Sequence, residues 1–363
     1  MRQLVDKIAS SFQFHGQPVQ SSQYGNGHIN TTRLIETDQG ARYILQKINQ
    51  GIFKDIPSLM NNIHAVTQHL LTKTSEPDRV MKLVPTINGE NYAIDEQGDC
   101  WRAYVFVKDS ICLDRAETAE EFYQSGVAFG QFQSQLSDFP AAVLKETIPG
   151  FHDTVRRFQH FHDVLAADPK GRAKEVSAEI EFALAREDEG GTMVRMLKCG
   201  QLPLRVTHND TKLNNVLLDA RTKKPLCVVD LDTVMPGLCG NDFGDSIRFG
   251  ASTAMEDEKD LSLVNLSLPL YEAYAKGFLQ ACGKSLTPIE LETLPLSAKL
   301  MTLECGLRFL TDYLEGDVYF RTHREGHNLD RCRTQFKLVA DMESKYEDMK
   351  QIISKLISQV LPS

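Results

Sequence analysis

The sequence has no paired cysteines, no long apolar run and no excess of basic charge. Its eight cysteines are scattered and none forms a CxxC pair, so neither a zinc knuckle nor a dithiol redox site is indicated. No stretch is apolar enough to cross a bilayer, and the opening residues, MRQLVDKIASSF, lack the apolar core of a signal peptide. We therefore expect a cytoplasmic protein with reduced thiols and no membrane partner.

The charge balance is acidic, with a formal net charge of −9 at pH 7. An acidic surface disfavours binding to nucleic acid, so we expect none as a partner. A chain of 363 residues is long enough for two lobes with separate cores. The composition does not decide between a monomer and a homodimer.

The first part of the chain reads as strands and turns, without repeats or low-complexity segments. Residues 18–47 predict three antiparallel strands joined by two turns, and residues 55–71 have apolar side chains at helical spacing. NYAID and CWRAYVFV predict two further strands joined by a hairpin. Five strands and one helix thus account for roughly residues 1–108, which we predict to be a small N-lobe.

The remainder is predicted to be mainly helical and to form a larger C-lobe over residues 109–363. Two helices begin with capping boxes, at Thr118 and at Thr287. NVLLD and LCVVD predict a lone β-hairpin among these helices, with polar residues at its ends. The fold class is therefore α+β.

The strongest chemical signal is THNDTKLNNVLLD, residues 207–219, followed by an apolar strand that ends at Asp230. Phosphoryl transfer needs one carboxylate to accept the proton of the attacking hydroxyl, and Asp210 has the spacing for this role. Magnesium prefers oxygen ligands, which Asn215 and Asp230 can supply. Lys212 is near enough to Asp210 to meet a phosphate. His208 is predicted to organise the loop.

At these residues the sequence resembles the aminoglycoside phosphotransferase/choline kinase family, whose fold is related to that of protein kinases. The resemblance implies a two-lobed kinase-like fold, Asp210 as catalytic base, and Asn215 and Asp230 as Mg²⁺ ligands. GNDFGDSIRFG (240–250) matches the segment whose Asp242 and Asp245 brace the catalytic loop.

The same resemblance implies ATP as the phosphoryl donor, bound between the lobes. Its phosphates would lie under the loop that holds Gly25 and Gly27, and its adenine against a hinge strand that includes Tyr104 and Phe106. Kinase-like folds usually carry a phosphate-binding lysine on the third strand. Here Gln46 holds that position and Lys47 follows on the opposite face, so Lys47 must be recruited through a β-bulge, or Mg²⁺ and Lys212 must neutralise the phosphates.

A narrower resemblance, carried by blocks between residues 207 and 339, is to the bacterial N-acetylhexosamine 1-kinases. These enzymes use ATP to phosphorylate the anomeric hydroxyl of N-acetylglucosamine or N-acetylgalactosamine. The resemblance implies that Phe249, Arg308 and Tyr319 line the sugar pocket and that Asp210 faces the reactive hydroxyl. Asp232 is expected to touch metal or substrate, or else to cap a turn.

Several alternatives stay open at this point. Arg308 has a possible salt-bridge partner one helical turn on, in Asp312. A cationic acceptor such as choline, ethanolamine or an aminoglycoside would need an aromatic or acidic cage, and homoserine is a further candidate acceptor. Residues 301–333 hold five candidates for such a cage: Tyr313, Tyr319, Glu304, Asp312 and Asp317. The lack of a third-strand lysine favours a non-catalytic nucleotide-binding module. A metal-dependent hydrolase is disfavoured, because no second histidine lies near His208 at ligand spacing.

Overall fold

The computed structural model describes residues 7–25 and 29–361. These residues pack into two compact units. The sheet unit consists of the described residues up to Ile111 together with Ala141–Pro149 and Leu217–Met235. The helical unit consists of Cys112–Pro140, Gly150–Val216 and the residues from Pro236 onward. The single lobe boundary at residues 108 and 109 stays a prediction; the packing adds two later segments to the sheet unit.

The sheet unit is built on a six-stranded sheet with the order β1-β2-β3-β6-β4, in which β5 also pairs with β6. The pairs are antiparallel, so the predicted meander over residues 18–47 and the later hairpin are confirmed. The strands are β1 Pro18–Gln23, β2 Thr31–Thr37, β3 Arg42–Lys47, β4 Leu83–Val84, β5 Ala93–Ile94 and β6 Cys100–Val105. One face of this sheet packs on a core that includes Ile35, Leu45 and Trp101.

Helix α1, Ile56–Lys73, follows the third strand. Asp55 caps it by accepting a hydrogen bond from the N–H of Ser58 at 3.1 Å. Leu59, Ile63 and Val66 are fully buried, as their spacing predicts.

The register of β3 excludes one of the two alternatives for Lys47. Its pairing is regular from Thr31–Lys47 to Glu36–Arg42 on one side and from Tyr43–Val105 to Lys47–Trp101 on the other, so no bulge turns Lys47 round. Gln46 and Arg102 are paired directly across the two strands and share a face. Lys47 lies on the other face and contacts the carboxylate of Asp99.

One correction concerns the hairpin predicted as a lone feature of the helical lobe. Strands β9, Val216–Asp219, and β10, Pro225–Val228, form a three-stranded sheet with β7, Ser110–Ile111. Most of this sheet belongs to the sheet unit. The third strand was missed because a pairing of two residues leaves no periodicity in the sequence.

The helical unit contains ten α-helices among the described residues. They are α2 Ala119–Gln135, α3 Thr154–Ala167, α4 Ser177–Leu184, α5 Glu187–Gly190, α6 Thr192–Lys198, α7 Cys239–Gly250, α8 Leu268–Cys282, α9 Pro288–Glu315, α10 His327–Ser344 and α11 Tyr346–Val360. Two short strands, β8 Arg205–Thr207 and β11 Met235–Gly237, pair with each other. Across both units, short 3₁₀ turns cover Pro77–Arg79, Ala141–Val143, Ala173–Val176, Leu213–Asn215, Leu231–Thr233, Leu261–Leu263 and Gly283–Ser285.

Local signals set the ends of the main helices. Both predicted capping boxes are present, from Thr118 to Glu121 at the start of α2 and from Thr287 to Glu290 at the start of α9. Helices α2 and α8 pack closely at two glycines: a Cβ at Gly126 would lie 2.3 Å from the carbonyl of Tyr274, and one at Gly277 would lie 2.3 Å from that of Tyr123. The strand-rich and helical parts confirm the predicted α+β class. None of the described helices is long and apolar enough to span a membrane.

Candidate active site

Asp242, in the first turn of α7, holds the loop that follows β8. Its carboxylate is fully buried and accepts hydrogen bonds from the backbone N–H of His208 at 2.9 Å and of Asn209 at 2.8 Å. The side-chain amide of Gln133 donates a third bond at 2.6 Å. Asn209 has φ 64°, a left-handed conformation that asparagine tolerates better than most residues. The loop is therefore bent and fixed directly before Asp210.

The next turn of α7 fixes the other side of Asp210. The N–H of Thr211 donates to Asp245 at 3.0 Å, and the hydroxyl of Thr211 donates to the carbonyl of Asp242 at 2.6 Å. The hydroxyl of Ser246 donates in turn to the carbonyl of Thr211 at 2.7 Å. This places Asp242 and Asp245 in the bracing positions that the family resemblance implied.

Asp210 is contacted by three of the predicted residues. Lys212 Nζ lies 2.8 Å from its Oδ1, and the amide of Asn215 donates to its Oδ2 at 3.0 Å and to its carbonyl at 2.8 Å. The N–H of Asp210 donates to Nδ1 of His208 at 3.3 Å, while the imidazole packs edge-on against Phe129. His208 therefore contacts the loop backbone and the core.

The charge state of Asp210 follows from these contacts. Burial alone would raise its pKa, but the ammonium of Lys212, aided by Asn215, outweighs burial and holds the pKa below the usual value for aspartate. The charge of Asp210 in turn raises the pKa of Lys212. Both groups are charged near neutral pH.

The two predicted Mg²⁺ ligands, Asn215 and Asp230, belong to the helical unit and the sheet unit respectively. The amide nitrogen of Asn215 makes two hydrogen bonds, so its oxygen can face a cation. Asp230 is exposed and has φ 60° at the end of the apolar segment after β10. No three His, Cys, Asp or Glu side chains converge within residues 7–25 and 29–361. Amide and carboxylate oxygens, such as those of Asn215 and Asp230, are ligand types that magnesium takes in proteins, usually one or two of them together with substrate phosphates.

The residues predicted to bind nucleotide that the structure describes, Gly25, Lys47, Tyr104 and Phe106, belong to the sheet unit. Tyr104 is buried in β6, with its ring 5.3 Å from the guanidinium of Arg102, and burial raises its pKa. Phe106 packs under the guanidinium of Arg42 at 4.2 Å and edge-on against Tyr24. Gly25 has φ 70°, a conformation that favours glycine. Gly27 lies outside the described residues. Lys47 is on the opposite face of β3, as described above.

Asp232 is buried and engaged on both oxygens. Its Oδ2 accepts a hydrogen bond from the amide of Asn30 at 2.6 Å, and its Oδ1 contacts the guanidinium of Arg102. Its role toward metal or substrate stays a prediction.

The predicted sugar residues form two groups in the helical unit. Phe249 lies at the end of α7, with Lys212 Nζ 6.0 Å from the centre of its ring. Arg308 and Tyr319 share a cavity of about 420 Å³, a figure that includes space open to solvent. Tyr319 is 57% exposed. The cavity is lined by Arg157, His160, Arg308, Thr311, Glu315, Tyr319 and Phe320.

This cavity carries positive charge. Among the described residues Arg308 forms no salt bridge, and its guanidinium lies 5.0 Å from the ring centre of Phe151, 5.9 Å from that of Tyr319 and 5.4 Å from that of Phe320. Arg157 donates to the carbonyl of Phe151 at 2.8 Å. Burial, and then the charge of Arg308, lowers the pKa of Arg157. The acid in the lining, Glu315, lies 3.2 Å from the imidazole of His160.

Asp312 is engaged by other groups, so the alternative in which it forms a salt bridge with Arg308 is excluded. Its carboxylate accepts the backbone N–H groups of Val318, Tyr319 and Phe320 at 2.8, 2.7 and 3.0 Å, and so fixes the loop that presents Tyr319. Asn328 donates to the same carboxylate at 2.8 Å.

The other acids considered for a cationic cage are also engaged elsewhere. Asp317 pairs with Arg172 at 2.8 Å and accepts from Asn328 at 2.9 Å. Glu304 lies 2.7 Å from Nδ1 of His152 and accepts from the hydroxyl of Thr154 at 2.5 Å.

The sequence analysis missed Arg102 and Arg157. Arg102 interrupts an apolar strand, CWRAYV, which is a usable signal because a buried charge needs a partner. Arg157 sits in a helix of ordinary polarity, where nothing distinguishes it from a surface residue.

Comparison with known proteins places these observations in a family. A model described as the phosphotransferase enzyme family matches residues 21–275. Among solved structures, a microcompartment-associated aminopropanol kinase is 15% identical with a TM-score of 0.66, over 96% of this chain and 99% of that chain. An amicoumacin kinase in complex with AMP-PNP, Ca²⁺ and Ami is 16% identical with a TM-score of 0.59, over 92% of each chain. The ethanolamine kinase of Plasmodium vivax is 14% identical with a TM-score of 0.57, over 91% of this chain and 83% of that chain.

At such identities the solved structures establish a shared fold and nothing finer, so the likeness to N-acetylhexosamine 1-kinases stays a prediction. The family model, in contrast, covers more than half of the sequence, including the loop of Asp210 and the bracing helix α7. The chain belongs to the phosphotransferase enzyme family.

Proposed function

We propose that the protein is an ATP- and Mg²⁺-dependent kinase that phosphorylates the anomeric hydroxyl of N-acetylglucosamine or N-acetylgalactosamine. The product would be the sugar 1-phosphate. The observation that carries the catalytic part is the carboxylate of Asp210, held between Lys212 and Asn215 on a loop braced by buried aspartates.

The chemistry follows from the charges of this loop. Asp210 orients the acceptor hydroxyl and takes its proton as the oxygen–phosphorus bond forms and the bond from the γ-phosphorus to the bridging oxygen breaks. Lys212 stabilises the charge that moves onto the phosphoryl oxygens. Asn215 and Asp230 are the residues that would hold Mg²⁺, and the bound ion would neutralise charge on the phosphates of ATP.

The acceptor class is supported by the cavity of Arg157, Arg308 and Tyr319. A quaternary or primary ammonium group would meet two arginines there and no unengaged acid from the predicted cage. A neutral acetamido sugar instead offers carbonyl and hydroxyl oxygens to the guanidinium groups and an apolar ring face to the tyrosine.

The replacement of the third-strand lysine by Gln46 favours one second candidate, a nucleotide-binding module without catalysis. The paired charges of Asp210 and Lys212 count against it, because such a module has no need for a braced base.

The direct test is incubation of the protein with Mg-ATP and a panel of N-acetylhexosamines, choline, ethanolamine, homoserine and an aminoglycoside, followed by phosphorus NMR. We expect an anomeric phosphate signal with at least one N-acetylhexosamine and a signal lower by about a hundredfold or more when Asp210→Asn is incubated for the same time. Phosphorylation of a cationic acceptor alone would refute the sugar assignment. Nucleotide binding without any product would favour the non-catalytic module.

A further inference from the structure

Arg102 is a buried charge at the centre of the sheet unit. It lies in the middle of β6, is 1% exposed, and has Trp101 and Ala103 of the core on either side. A guanidinium in such surroundings is strongly destabilising unless its donors are satisfied. The groups that this guanidinium contacts therefore indicate the role of Arg102.

Its donors point in two directions. Nε and Nη2 both donate to the side-chain oxygen of Gln46, at 3.1 and 2.9 Å. Gln46 in turn donates to the hydroxyl of Thr32 at 3.1 Å, which ties together strands β2, β3 and β6. Nη1 contacts Oδ1 of Asp232, which lies 130 residues later in the chain.

Asp232 is the centre of a second set of contacts. Asn30 donates to its Oδ2 at 2.6 Å, and the hydroxyl of Thr147 donates to its carbonyl at 3.3 Å. Two residues on, the carbonyl of Val234 accepts a hydrogen bond at 3.0 Å from Asn62 of helix α1. The segment 231–234 is thus fastened to the sheet, to α1 and to the segment Ala141–Pro149.

Asp230 directly precedes the segment 231–234. It is exposed and left-handed, and the 3₁₀ turn Leu231–Thr233 begins directly after it. Aspartate tolerates the left-handed conformation better than most residues, and the contacts of the following turn favour one such conformation at Asp230. The backbone that carries the Asp230 carboxylate is therefore continuous with the turn that Asp232 anchors.

We propose that Arg102 is a positioning residue that, through its ion pair with Asp232, holds the turn at residues 230–232 so that Asp230 can bind the divalent cation of a nucleotide. Gln46, at the position where a third-strand lysine was expected, serves this arginine as its hydrogen-bond acceptor. The inference rests on the proposed role of Asp230 and is independent of the acceptor.

The arrangement assigns Arg102 an indirect role. Its guanidinium is enclosed by Gln46, Asp232 and Tyr104, so it acts on the nucleotide through Asp230. Replacing it should change the response to Mg²⁺ more than the affinity for nucleotide without metal.

The test compares Arg102→Met with Arg186→Met, a matched control that removes a two-pronged ion pair with Glu343 in the helical unit. Calorimetry measures the affinity of each variant for ADP with Mg²⁺ and for ADP with a chelator. We expect Arg102→Met to weaken Mg-ADP binding about tenfold or more and to change binding of metal-free ADP by about twofold or less. The control should leave both affinities close to those of the wild type.

A double-mutant cycle that combines Arg102→Met with Asp232→Asn tests whether Arg102 acts through Asp232. If Arg102 acts through Asp232, the double variant should lose no more Mg-ADP affinity than the worse single variant. Arg102→Lys, which keeps the charge without the planar fork, replaces the methionine variant if the latter does not fold, and should show a smaller loss of the same kind.

Three results would overturn the inference: unchanged Mg-ADP affinity in folded Arg102→Met or Arg102→Lys, equal losses with and without metal, or additive losses in the cycle. If the wild type itself binds no Mg-ADP, the proposed function fails, and that outcome is distinct from these three.

Discussion

At the scale of single residues, the charge of Asp210 depends on one lysine. Removing Lys212 should raise the pKa of Asp210, because burial would then act with less opposition. Since turnover needs Asp210 deprotonated, the acid limb of the kcat profile should move to higher pH in Lys212→Met. The measurement is kcat against pH for the wild type, for this variant and for Lys276→Met, an exposed lysine of α8 that serves as control.

The wild type should show no acid limb from Asp210 above about pH 4, the usual range of an aspartate. An acid limb in Lys212→Met at the same pH as in the wild type would contradict the account, whatever the loss in rate.

Arg308 gives a second prediction at this scale. Arg308→Gln should raise KM for an N-acetylhexosamine about tenfold or more, the usual effect of losing a hydrogen bond from a charged group, and should change kcat less. Arg333→Gln removes an ion pair with Glu179 on the surface of α10 and is the control. If the acceptor were a cation, removal of Arg308 would instead lower its KM, because like charges would no longer repel.

At the scale of elements, the catalytic loop is held by α7. The carboxylate of Asp242 accepts two backbone N–H groups and one amide, and an asparagine there would point an NH₂ group at one of these donors. Asp242→Asn should therefore cost about 1–3 kcal/mol of unfolding free energy and should also lower kcat.

The control variant Thr118→Ala separates the loss of stability from the fall in kcat. It removes the capping box of α2, which costs about 1 kcal/mol, without touching the loop. Denaturant unfolding and kcat would be measured on both variants. We expect the two variants to lose comparable stability and only Asp242→Asn to show a lower kcat. A normal kcat in folded Asp242→Asn would contradict the bracing role.

Some of the contacts that hold these elements could be predicted from the sequence, and others could not. The contacts of Asp210 with Lys212 and Asn215, and the capping boxes of Thr118 and Thr287, join residues a few positions apart, so their spacing was enough to predict them. The pairing of Arg102 with Asp232 joins residues 130 positions apart and left no pattern to read. Of the two alternatives for Lys47, the β-bulge is excluded by the regular register of the strand pairing, which the sequence of a single strand does not reveal.

At the scale of the whole molecule, the family and the α+β fold could be predicted from the sequence, whereas the acceptor stays a proposal. The motifs near residue 210 serve phosphoryl transfer in general, whereas the acceptor depends on side chains from different helices, such as Arg157 of α3 and Arg308 of α9. Their separate sequences look like ordinary helix surfaces. The fold brings them into one cavity, and its two arginines are the basis for proposing a neutral sugar instead of a cationic acceptor.

The most direct test of the account is a paired measurement on Asp210→Asn: kcat with Mg-ATP and the preferred sugar, and the dissociation constant of Mg-ADP by calorimetry. The account predicts that kcat falls on the order of 10²- to 10⁴-fold, because the acceptor loses its base, while the dissociation constant stays within about threefold of the wild type. Near-normal turnover in this variant, with the same sugar phosphate as product, would contradict the account.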